Sequence, residues 1–111
     1  MSLAQRVRLR VRRHRVLSSI ASDVAERSFA TTWEKVYLRA CGMPRNESRG
    51  YVRAHAAAEV HQVLDGAVRR HHLPELWHDR LAELAVELLV ERVEDRLQQT
   101  MPISETCRRA A

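Results

Sequence analysis

The stretch PELWHDRLAELAVELLVERVEDRLQQT, residues 74–100, decides the fold class. Pro74 belongs in the first turn of a helix, where its missing N–H costs nothing, and Glu75 and Asp79 suit the positive end of the helix dipole. At about 100° per residue the apolar side chains fall on two lines. Trp77, Leu81, Leu84, Ala85 and Leu88 make the first. Ala82, Val86, Leu89, Val90, Val93 and Leu97 make the second, on nearly the opposite side and shifted toward the C-terminal half. A helix that is apolar on two sides must lie between two neighbours, from its own chain or from a second copy. This requirement predicts an all-α bundle and makes a homodimer the expected oligomer. Trp33, Trp77, Val86, Val90, Val93 and Leu97 are the residues expected at its interface. A third line, Glu75, Asp79, Glu83, Glu87, Glu91 and Asp95, is acidic at i, i+4 spacing. Like charges so placed cost roughly 0.2–0.5 kcal/mol per pair in an isolated helix, so a basic partner is expected to offset them.

Upstream, residues 46–72 read as a second long helix, with Asn46 as its N-cap just after Pro44. Val52, Ala56, Val60, Val63, Leu64 and Ala67 line one face, and His71 stands at its end. Leu73 and Pro74 leave only a tight connection, which predicts an antiparallel αα-hairpin about 39 Å long at 1.5 Å per residue. Thr31 and Glu34 have capping-box spacing, Trp33, Val36, Tyr37 and Ala40 follow at helical spacing, and Gly42 suits the residue after a helix end. Val16, Leu17, Ile20 and Val24 occupy a different azimuth from Phe29, Trp33 and Val36, which predicts a break or kink near residues 28–32. The expected architecture is a small bundle of three to four helices over residues 16–101. A basic segment precedes it at residues 1–15, and a flexible tail follows at 102–111.

Composition agrees with this outline. A chain of 111 residues is one domain in size, and with three Gly and three Pro it has few places to turn, so few long elements are expected. No apolar run approaches the roughly 20 residues that span a bilayer, and the best candidate, LAELAVELLV, is interrupted by two Glu. Cys41 and Cys107 form neither a disulfide framework nor a metal-ligand spacing, so a soluble protein of a reducing, cytoplasmic compartment is expected.

Charge is the feature that points toward function. Arg6, Arg8, Arg10, Arg12, Arg13 and Arg15 give the first fifteen residues +6 with no acid, while the chain as a whole carries +5. Arg outnumbers Lys 18 to 1, a bias that accounts for the choice of Arg but not for its clustering. Arg6 to Arg12 alternates basic and apolar residues as a half-buried strand does, but Leu3, Val7 and Val11 also share one helical face. A lone strand has no partner in a helical chain, so helix or flexible arm is the favoured reading. The strand alternative, followed by helices near 16–28 and 32–41, resembles the ribbon–helix–helix pattern. There, a two-stranded ribbon from a dimer enters the DNA major groove. This chain departs from that pattern in lacking a Gly-containing turn between the helices. Arg also occupies nearly every outward position of the strand.

Six guanidinium groups suit nucleic-acid phosphates, the acidic line of the last helix, or a targeting role, since the Arg- and Ser-rich start has no acid before Asp23. Other chemistry is poorly supported. Glu75-x-x-His78 has the spacing used in di-iron bundles, and His71 and His72 lie near it, but a second such motif is missing. His55 and Glu59 read as an exposed i, i+4 pair, and Cys41 sits at the wrong helix end to become a nucleophile. Gly occurs only at 42, 50 and 66, too sparsely for a phosphate-cradling loop. The expected function is a non-enzymatic, self-associating helical protein-protein interaction module with no cofactor. The alternative is a nucleic-acid-binding protein that uses the six N-terminal Arg.

Overall fold

A computed structural model describes residues 2–100, which are all-helical, with no strand among them. α1 runs Leu3–Cys41, α2 runs Arg45–His71 and α3 runs His78–Gln99, with a single 3-10 turn at Glu75–Trp77 before α3. At 1.5 Å per residue, the 39 residues of α1 reach about 58 Å, close to the 63 Å long axis of the molecule. α2 and α3 are shorter, about 40 and 33 Å. Contacts at Asp23–Arg70 and Lys35–Glu59 run α2 antiparallel to α1. Those at Ser22–Arg92 and Trp33–Arg96 run α3 parallel to α1.

Of the break or kink expected at residues 28–32, the break is absent, because α1 is one continuous helix. Its buried seam is Leu17, Ile20, Ala21, Val24, Ala25, Ser28, Thr32, Val36 and Ala40, at steps of three and four. The two polar members need no cap. The Ser28 hydroxyl donates to the Val24 carbonyl and the Thr32 hydroxyl to the Ser28 carbonyl, both at 2.8 Å, which satisfies them inside the helix. The Thr31–Glu34 capping box is therefore unused. A real capping box opens the helix instead, where Ser2 and Gln5 bond reciprocally. The strand alternative for residues 6–12 also fails, and the ribbon–helix–helix resemblance with it, since those residues are helical.

Two further boundaries move. α2 is capped by Pro44, not Asn46, and Glu75–Trp77 forms its own tight turn before α3 begins. Gly42 keeps a right-handed conformation (φ −95°, ψ 0°), while the left-handed helix end falls on His72 (φ 50°, ψ 47°).

The two apolar lines of the last helix prove to be one. Leu81, Ala85, Leu89, Val93 and Leu97 are all buried, each four residues from the next. Every step of four advances about 40°, so the seam sweeps about 160° around the helix from end to end. α1 and α2 both pack against α3, so neighbours from the same chain enclose it.

Candidate nucleic-acid interface

The first buried residue of α1 is Leu17, and residues 2–16 are all exposed. From Leu3 to Val16 the exposed length of helix is about 21 Å, of which about 15 Å, from Leu3 to Arg12, lies beyond the contact of Arg13 with Trp77. That exposed length carries all six clustered Arg. By azimuth they divide into two lines, Arg6, Arg10 and Arg13 on one flank and Arg8, Arg12 and Arg15 on the other, about 160° apart. Leu3, Val7 and Val11 run between the lines, about 100° from each, and all three are exposed, Leu3 at 79%.

Among the described residues no ion pair joins any of the six to a carboxylate. The pairing with the acidic line of α3 is therefore not made among the described residues. The acidic line of α3 finds other cations, with Glu87 2.9 Å from Arg53 and Glu83 3.4 Å from Arg80. Arg13 meets the bundle, its guanidinium 5.8 Å from the Trp77 ring centroid. This contact marks the base of the projection. Like charges recur at i, i+4 along it and no acid occupies its first turn, so helix dipole and side chains both concentrate positive potential there.

The fold also brings cations from elsewhere. α2 ends beside Asp23, where Arg70 comes within 4.0 Å, and Arg69, Arg70, His71 and His72 are exposed at that end, about 10 Å along α1 from Val16. In the sequence, His71 and His72 stand out only beside Glu75 and His78, and Arg69 and Arg70 do not stand out at all. The available signal was the run RRHH directly before the turn.

The six residues expected at an interface separate by burial. Val90, Val93 and Leu97 lie inside the chain's own core and have no surface to offer a partner. Trp77 and Val86 are half-buried, as is Trp33, which stacks between Phe29 (6.2 Å) and Tyr37 (5.6 Å). The Arg96 guanidinium lies 5.0 Å from the Trp33 ring centroid and 5.6 Å from that of Phe29, closing the groove between α1 and α3. Val86, Ala57 and Ala82 line a second shallow groove, between α2 and α3, edged by Glu83 and Glu87.

His78 Nε2 lies 3.3 Å from the Leu73 carbonyl, a bond that ties the turn to α3. Among the described residues no group of three or more His, Cys, Asp or Glu converges as metal ligands would. Glu59, read as exposed beside His55, is buried at 4% exposure and pairs with Lys35 of α1. No described helix is long and apolar enough to cross a membrane. No protein-family model, curated protein or solved structure matches the chain.

Proposed function

We propose that this protein is a non-enzymatic helical module, a bundle built on the antiparallel α2–α3 pair, whose basic N-terminal helix binds nucleic acid. One observation carries the reading. Six exposed guanidinium groups crowd one length of helix, and none has a carboxylate partner among the described residues. Phosphates supply the missing counter-charge at close spacing, and binding releases their condensed counterions. Titration of labelled nucleic acid with the full chain at rising salt tests this. Log affinity should fall with log salt at a slope of about −5 if all six Arg meet phosphates. A flat salt response, or no binding at low salt, sinks the proposal.

Self-association is a second reading, favoured by the α2–α3 groove, where Ala57, Ala82 and Val86 leave apolar surface between charged edges. Small residues let a second helix approach closely. Sedimentation of the chain and of Val86→Arg decides it. A dimer that the substitution dissociates supports this reading, and a monomer at every concentration removes it.

A further inference from the structure

Resting on the nucleic-acid reading, we propose that the projecting helix enters the major groove of B-form DNA, with its two Arg lines on opposite phosphate rims and Leu3, Val7 and Val11 toward the floor. Size is the first argument. A helix with its side chains is about 10–12 Å across, which fits a B-DNA major groove of about 12 Å and not a minor groove of about 6 Å. Only a helix free of its own bundle can make that entry, and residues 3–12, ahead of the Arg13–Trp77 contact, run for about 15 Å.

The distribution of charge is the second. Cations on a single face suit a helix lying across one strand of backbone. Here Arg6 and Arg10 lie about 160° from Arg8 and Arg12, so one helix can reach the phosphates of both strands at once. The face between them is Leu3, Val7 and Val11, which has no hydrogen-bonding group for base edges but can meet thymine methyls. Gln5, the one amide on the projection, is engaged in its N-terminal cap. Binding should accordingly depend little on sequence, with a bias toward thymine.

The other nucleic acids fit less well. A-form RNA has a major groove too deep and narrow for a helix. Single strands are held by aromatic side chains on which bases stack, and no Phe, Trp or Tyr precedes Phe29.

The test is fluorescence anisotropy of the full chain at low salt, with a mixed-sequence DNA duplex, the RNA duplex of the same sequence and the single DNA strand. The DNA duplex should bind about tenfold tighter than either of the others. Each of the double variants Arg6→Ala/Arg10→Ala and Arg8→Ala/Arg12→Ala should weaken duplex binding and lower the salt slope by about two. Neither pair touches the bundle, and circular dichroism shows whether the helix survives. RNA or single strand bound as tightly as the DNA duplex overturns groove entry while leaving the nucleic-acid reading intact. So does one Arg pair whose loss changes nothing. Failure to bind any of the three overturns both.

Discussion

His72 is the one described non-glycine residue with positive φ, and it ends α2 in a left-handed conformation. A side chain pays for that geometry through crowding of its Cβ, which glycine lacks. His72→Gly should therefore stabilise the fold by about 0.5–1 kcal/mol, less what glycine adds to the freedom of the unfolded chain. A thermal melt that falls by several degrees would show that the imidazole holds the turn by contacts of its own. A second residue-scale prediction concerns Glu59. Its carboxylate is buried while its partner Lys35 is half exposed, so the lysine gains little and the glutamate depends on it. Lys35→Ala should cost about 1–3 kcal/mol by leaving the carboxylate unpaired. Lys35→Met with Glu59→Leu should recover most of that, since a buried ion pair is often replaceable by apolar side chains. Chemical denaturation of the two variants measures the difference, and equal losses in both would contradict this account.

At the scale of the element, α3 is held by a drifting line of contacts and not by one fixed face. Leu89 is fully buried midway along that line. Leu89→Ala should cost about 2–5 kcal/mol, the loss of transfer energy plus the cavity left in a packed interior. Leu38→Ala on α1 removes an equal volume from a side chain that is 75% exposed, and should change stability by less than about 0.5 kcal/mol. Similar losses at both positions would place Leu38 in an interface between copies. The helical class, the second and third helices and their close connection were all legible from period and punctuation. The continuity of α1 was not. Ser28 and Thr32 look like a break and a cap in sequence, and only burial shows that their hydroxyls bond back along the same helix.

For the whole molecule, binding and stability should separate. Residues 2–16 are all exposed, and Arg13 meets the bundle at Trp77 through a surface interaction of about 0.5–1 kcal/mol. Deletion of residues 2–15 should lower the melting temperature by only a few degrees and abolish nucleic-acid binding. A deletion that unfolds the chain or splits a dimer would assign the segment to the fold. The basic cluster of this candidate site was legible, because six Arg without an acid need no structure to be counted. Its division into two flanks of a projecting helix was not.

The sequence alone determined that this chain is helical, because apolar residues at steps of three and four with few breakers leave no other way to bury them. It also set where the positive charge lies along the chain. Only the tertiary structure decided what faces water. Burial depends on which helices meet, and α2 and α3 are too short to cover the start of α1. That mismatch in length buries Val93 and Leu97 in their own chain and leaves Arg6 to Arg15 exposed, with no ion pair to a carboxylate among the described residues.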